Sequence, residues 1–329
     1  MKPNRMEPAL VQRRSVHAAG FIVLDLLVAD GRMTPIVGGT AANVAVNLSV
    51  LGWDSCVTAL LGDDRAGKEV VRQLSHYGVD TSGVVLDPGV RTPVLIHEVV
   101  RGRHRFRFSC PQCGSKYAKF RPLDPGKVSA APEASVHFFD RASSYATRLA
   151  EGVNRSAVVV FEPGTPGRPA ATAALASSSH LLRVSSELEI EAGTEAASPQ
   201  VQVVGLGSEG VRFRLAGDTD WVHLPSELRA PLVDAGGAGD WLTSGILDAV
   251  PLDKIHDSSL CPGELRAAVS RGLMLAAVCC QYEGTRGQVG SSVWADATQR
   301  MSLPTPTAPR LPTFDLQNCR DCEAWFHHV

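Results

Sequence analysis

Hydrophobic and polar positions alternate in blocks that predict strands and helices taking turns along the chain. Residues 16–24 form an apolar run that reads as one buried strand, preceded by a polar leader over 1–15. After Gly38-Gly39, the residues Ala42, Ala45, Val46, Leu48 and Val50 can share one face of a helix over 40–51, closed by Gly52. Residues 56–61 read as the next buried strand. Residues 67–77 read as a helix with Val70, Val71 and Leu74 inward, stopped by Gly78. This alternation predicts an α/β fold, a mostly parallel sheet covered by helices on both faces. Residues 93–100 and 104–109 instead alternate like a hairpin around Arg101-Gly102, which would project from the core as a lid. Further short strands are expected at 157–161, 181–184 and 201–206, with another hairpin piece at 212–215 and helices at 241–250 and 264–280. Four prolines between 303 and 312 predict an extended linker, followed by a short Cys/His-containing tail.

Composition narrows this picture. A chain of 329 residues with 44% hydrophobic content can fill the core of one large domain plus appendages. A net charge of -2 implies no general attraction to nucleic acid or anionic membrane. The first residues lack the apolar core of a secretion signal, and the longest apolar stretches are short or interrupted by Asp25, so a cytoplasmic protein is expected. The basic run 101–107 reads first as a solvated face, with Arg105 and Arg107 as lid residues that could reach a ligand.

Three glycine-rich segments compete for a phosphate. Residues 62–69 nearly spell a P-loop, but Glu69 stands where a hydroxyl should hold Mg²⁺. Gly205, Gly207 and Gly210 match GxGxxG after a strand, yet the residues that follow read as a strand and not as the helix a dinucleotide site requires. The third, Asp234-Ala235-Gly236-Gly237-Ala238-Gly239-Asp240, follows a strand-like Leu232-Val233 and opens an apolar helix. A glycine-dense turn at a helix start presents free N–H groups and a positive dipole end to an anion. Asp240 beside it is poorly placed to bind phosphate and well placed to take a proton from an attacking alcohol. The plainer alternative is a helix-capping role for Asp240.

This last segment, with Ser244-Gly245, resembles the C-terminal signature of the ribokinase-like (PfkB) carbohydrate kinase family. The resemblance covers roughly residues 16–290. Gly20 to Asp25 looks like that family's first strand and its terminal acid, and Gly38, Gly39, Asn43 and Gly52 are similar to its N-terminal signature. It implies a ribokinase-like three-layer fold over residues 16–300, with a small β lid from segments near 26–36 and 92–121. It also implies ATP and Mg²⁺ as cofactors and phosphorylation of a hydroxyl on a sugar or sugar-like molecule. Asp240 would be the general base, and the N–H groups of Gly237, Ala238 and Gly239 the anion hole. Asp25, Gly38, Gly39, Asn43 and the lid residue Arg107 would hold the acceptor, and Gly205, Gly207, Gly210 and Glu189 would serve the nucleotide side. A nucleoside kinase of the same fold, or a catalytically weakened ligand-sensing module, is the alternative; a homodimer is compatible with either.

The chain departs from the family pattern at Glu162-Pro163-Gly164, where many members carry Asp-Pro-Asn. It departs again at Ser185-Ser186, where an Asn-x-x-Glu element is only approximated, at Ala235 and Gly236, and at Gly205. These changes spare the proposed base and fall on the metal and nucleotide side. Two CxxC pairs, Cys110/Cys113 and Cys319/Cys322, add a candidate structural Zn²⁺ site if the linker returns the tail to the lid. Redox-active pairs or plain thiols are the other readings.

Overall fold

The computed structural model describes residues 14–29, 32–100, 103–110, 113–124, 126, 132–153, 157–191, 199–298 and 314–315. The first strand, β1 (Ser15–Ala19), is shorter than the apolar run suggests, because the chain breaks at Gly20 and re-enters a different sheet as β2 (Val23–Ala29). Gly20 has φ +155 and lies against the Asp140 carboxyl, whose Oδ1 accepts from Phe21 N at 2.7 Å. The backbone turns around that buried acid. There follow β3 (Arg32–Gly38), α1 (Thr40–Val50), β4 (Asp54–Gly62), α2 (Arg65–His76), β5 (Asp80–Asp87), β6 (Val94–Val100), β7 (Arg103–Arg107) and β8 (Val136–Phe139). The chain continues through α3 (Ser144–Gly152), β9 (Val158–Phe161), α4 (Pro169–Ser178), β10 (Leu181–Ser185), α5 (Ser186–Glu191), β11 (Val201–Gly205), β12 (Val211–Leu215) and β13 (Val222–Leu224). It ends with α6 (Ala238–Ala249), α7 (Leu252–His256), α8 (Pro262–Cys279), α9 (Ser292–Thr298) and β14 (Phe314–Asp315).

The main sheet has the order β13-β12-β11-β10-β9-β8-β1-β4-β5, parallel from β5 to β11 and antiparallel at the β12 and β13 edge. Val158 and Val160 face one core with α1, α6 and α8, whereas Val159 and Phe161 face the other with α3 and α4, the period-two alternation of a sheet covered on both sides. The lid is a second sheet, β14-β3-β2-β6-β7. Its β6-β7 hairpin is the one read from the sequence, and β2 with β3 supplies the other lid segment. Arg14, expected in the polar leader, donates to the carbonyls of Leu247, Asp248 and Val250 at the end of α6.

Helices α6 and α8 cross at glycines. A Cβ on Gly245 would sit 2.7 Å from Gly272 Cα, and one on Gly272 would run into the Leu242 carbonyl. That contact sets how far α6 lies from the core and therefore where its N-terminus points. The P-loop lookalike closes on itself: Asp64 Oδ1 accepts from Gly67 N at 2.8 Å and caps α2, while Lys68 pairs with Asp63 at 2.8 Å. Among the described residues, no helix is long and apolar enough to cross a membrane.

Gly272→Ala is expected to cost about 1–3 kcal/mol, the range for overpacking against a backbone that cannot retreat. Thermal unfolding of the variant should show a melting temperature several degrees below that of the parent; an unchanged value would mean that the helices can separate without loss.

Candidate active site

The α6 N-terminus is shaped by backbone demands visible in the residues themselves. Gly237 takes the left-handed conformation (φ 78, ψ 0) as N-cap, and a Cβ there would lie 2.7 Å from Thr285 Cγ2. Asp234 holds the turn from below, accepting from Gly236 N at 2.7 Å and Gly284 N at 2.8 Å. Trp241 Nε1 donates to Thr285 O at 2.7 Å and locks the helix start against the 284–287 loop. Leu232-Val233 is not a strand, as the sequence suggested. Both residues are exposed, and Val233 N is bonded to Cys280 O, so the end of α8 takes the place of a sheet neighbour.

Asp240, in the first turn of α6, is 8% exposed. Its Oδ2 accepts from Asn43 Nδ2 at 2.6 Å. Asn43 Oδ1 in turn accepts from Arg286 Nη1 at 2.8 Å, and Arg286 Nη2 donates to Val37 O. Both ends of the Asn43 amide are therefore engaged by protein, so it orients Asp240 in addition to lining the cleft. Burial, then the nearby Glu162 carboxylate, pushes the Asp240 carboxyl up to about 8, against the Asn43 hydrogen bond and Arg183. Asp25 lies 6% exposed at the same cleft, with Oδ1 lacking a hydrogen-bond partner among the described residues. Burial raises it to about 7 while the Arg286 charge opposes.

These residues meet in a cavity of about 910 Å³ whose walls include Phe21, Asp25, Gly39, Asn43, Gly237 and Asp240, with the lid residues His97, Phe106 and Phe108 closing one side. Gly39 has φ 89 and packs on the Phe21 carbonyl, and Gly38 leaves room for the Asp25 carboxylate. Asp25, Gly39 and Asn43 thus share the cavity wall, and Gly38 lies directly behind the Asp25 carboxylate. Arg107 does not join them. Its Nε donates to Glu98 Oε2 at 2.9 Å, because alternation along β7 turns Phe106 into the cavity and Arg107 onto the opposite face of the lid.

On the nucleotide side, β11 ends in a 3-10 turn, Gly207–Glu209, with Gly210 at φ 103 packed on the Leu224 carbonyl; a strand follows, as read from the residues. Glu189 sits apart from Asp240 and pairs with Arg212 at 2.5 Å. Glu162 is buried between Arg183 Nη1, at 2.6 Å from Oε1, and Thr243 Oγ1, at 2.5 Å from Oε2. Both acids that could face a cation on this side already hold an arginine. Among the described residues, no group of three or more His, Cys, Asp or Glu could hold a metal ion.

The zinc expectation also finds no support. Cys110 and Cys113 share one turn, where Cys113 N approaches Cys110 Sγ at 3.5 Å and Cys113 Sγ approaches Ser115 Oγ at 3.3 Å. Cys319 and Cys322 lie outside the described residues. Of the tail, the described pair Phe314–Asp315 lies on β3, at the edge of the lid sheet opposite β7. Sequence reading missed Arg286 and Arg183. The first stands between Gly284 and Gly287, a bracketing that could have marked it; the second is a lone basic residue in an apolar strand, Leu181–Ser185, and was the available signal there.

The fold is an α/β scaffold of the ribokinase-like class. Residues 20–124 match the family described as pfkB family carbohydrate kinase. A fructokinase from Klebsiella pneumoniae is 27% identical over 319 residues, spanning 87% of this chain and 98% of the relative. Among solved structures, the Vibrio cholerae O395 fructokinase with fructose, ADP and calcium bound superposes with a TM-score of 0.66 at 18% identity, covering 86% of this chain and 98% of that one. Aminoimidazole riboside kinase from Salmonella enterica, complexed with aminoimidazole riboside and an ATP analog, gives 0.65 at 19% identity, covering 87% and 100%. The chain is thus similar to carbohydrate kinases of the ribokinase-like PfkB family, phosphotransferases with an alcohol group as acceptor.

The raised Asp240 carboxyl has a consequence for stability. The folded state holds its proton up to about pH 8 while the unfolded chain releases it near 3.8, so stability is fully present below that lower value and falls as pH rises between the two. Asp240→Asn removes this loss and keeps a partner for Asn43. Its melting temperature should exceed that of the parent by a margin that widens from pH 4 to pH 8; a margin constant over that range would show that the carboxyl ionises as it does in the unfolded chain.

Proposed function

We propose that this chain transfers the terminal phosphoryl group of ATP to a hydroxyl of a sugar, with Asp240 as general base. The observation that carries the reading is the placement of Asp240. It is buried, raised toward neutral pH and fixed by Asn43 on the wall of a cavity that Asp25 shares, one helical turn from a left-handed glycine cap. A base with a pKa near the working pH combines a usable deprotonated fraction with a strong pull on the proton. Asp25, with an unpartnered oxygen at the cleft, would accept hydrogen bonds from acceptor hydroxyls and align one of them with Asp240.

Bound ATP supplies the phosphoryl group. The turn at 205–210 and the α6 start would hold its phosphates, the latter through N–H groups and the helix dipole. Of the three N–H groups expected there, that of Ala238 closes the turn onto Ala235 O at 3.2 Å, which leaves Gly237 and Gly239 as the donors. The lid hairpin, with Phe106 and Phe108 over the cavity, would exclude water from the transferring group. The relatives named as fructokinases support a sugar acceptor. A nucleoside acceptor is the second reading, favoured by aromatic walls at Phe21, Phe106, Phe108 and Phe120 that could stack a base.

The test is an ADP-release assay with ATP and Mg²⁺ over a panel of sugars and nucleosides. Turnover of a sugar supports the first reading and of a nucleoside the second; ligand binding with no turnover across the panel would overturn both. With the substrate found, Asp240→Asn should remain folded and lose about 10²- to 10⁴-fold in kcat. In the parent, kcat/KM should climb with pH and level off above about 8 as Asp240 loses its proton. Activity retained in the variant would remove Asp240 from the role of base.

A further inference from the structure

We infer that Arg183 is a phosphate-binding residue of the cleft, holding the terminal phosphate of the nucleotide between the α6 start and the end of β11. This rests on the kinase reading for the identity of the ligand. Arg183 lies on β10, a central parallel strand, near the carboxyl end where ligands of open α/β sheets collect. A Cβ on Gly239 would come within 2.7 Å of Arg183 Nη2 and 3.1 Å of Nη1, and a Cβ on Gly205 within 3.2 Å of Nη2. The guanidinium therefore bridges the two turns assigned to phosphates, and glycine at both positions is what gives it room.

Two features separate this side chain from an arginine that only neutralises a buried acid. Glu162 Oε1 takes Nη1 at 2.6 Å, and Glu162 is itself fixed through Oε2 by Thr243 of α6, so the planar fork is held in one orientation. Nη2, the nitrogen facing Gly239 and Gly205, makes no hydrogen bond to the described residues, and the side chain keeps 14% of its surface exposed. An always-charged fork with free donors beside a helix N-terminus is suited to a phosphate oxygen. The position also gives meaning to the departures at 162 and 205. Glu162 reaches Arg183 and orients it, and the side chain absent at Gly205 is replaced in space by the Arg183 guanidinium.

The experiment compares binding of ATP, ADP and adenosine to the full chain by calorimetry, for the parent, Arg183→Met, Arg183→Lys and the double variant Arg183→Met with Glu162→Gln. Melting curves are recorded for each, and the double variant leaves no unpaired buried carboxylate. Arg183→Met and the double variant should bind ATP about 10- to 100-fold more weakly, ADP less affected and adenosine unchanged, with Lys recovering part of the loss. Equal weakening for all three ligands, or none for ATP in a variant that melts normally, would overturn the assignment. If no sugar or nucleoside is turned over yet ATP affinity follows the charge at 183, the kinase reading falls and this one stands. Sugar turnover with ATP affinity indifferent to residue 183 is the reverse outcome.

Discussion

The hydrogen bond from Asn43 to Asp240 joins side chains 197 residues apart and ties α1 to α6, the helix that carries the proposed base. Both partners are buried, so the bond is worth more than a surface contact and its loss would strand a polar group on each side. It can form only if α1 starts where Gly39 turns the chain and α6 starts where Gly237 does. Those two glycines, each at positive φ, are thus coupled through the pair they deliver. Arg286 extends the link from Asn43 to the carbonyl of Val37 at the end of β3, so the lid, α1 and Asp240 share one polar chain. The glycine crossing of α6 on α8 keeps this geometry from drifting.

What could be read in the sequence follows from how local each demand is. The turns at 38–39 and 234–240 were legible because a left-handed backbone or a close approach leaves glycine as the economical choice, and the demand shows at that very position. The lid hairpin was legible through its alternation. Arg107 failed for the same reason: its neighbours Phe106 and Phe108 had to face the cavity, and a one-residue step along a strand reverses the face. The apolar run 16–24 read as one strand because hydrophobicity does not record a change of sheet. Only Gly20, against a carboxyl 120 positions later, marks the break. Elements β5, β8, α3 and α4 went unread. β5 is half-buried with polar residues at its start, and α4, built of Pro, Ala, Thr, Ser and Leu, has almost no polar face to set a helical period.

Arg286 and Arg183 were hidden for a different reason. Each is a single charged residue whose importance comes from partners far away in sequence, and no local pattern encodes those distances. The family resemblance drew attention to what had been replaced at Glu162 and Gly205, and the structure shows these two positions meeting at one guanidinium.

Asp234 is taken up by the Gly236 and Gly284 N–H groups; of the other four carboxyls buried around the cleft, the arrangement against the arginines singles out one. Asp140 pairs with Arg141 at 3.1 Å and is raised to about 6. Glu162 pairs with Arg183, and Asp25 feels Arg286 without a hydrogen bond and is raised to about 7. Asp240 alone of the four is steadied by a neutral amide, with the Glu162 carboxylate adding to burial, and it is raised to about 8. A guanidinium on Asp240 would hold it ionised and make it a poor proton acceptor, whereas solvent exposure would do the same by hydration. With an arginine beside each of the other three and only Asn43 on this one, the proton affinity is highest at Asp240, which is where the proposed base needs it. The same distribution explains why the cleft tolerates so much buried charge: each arginine offsets an acid next to Asp240 and leaves Asp240 itself without an ion pair.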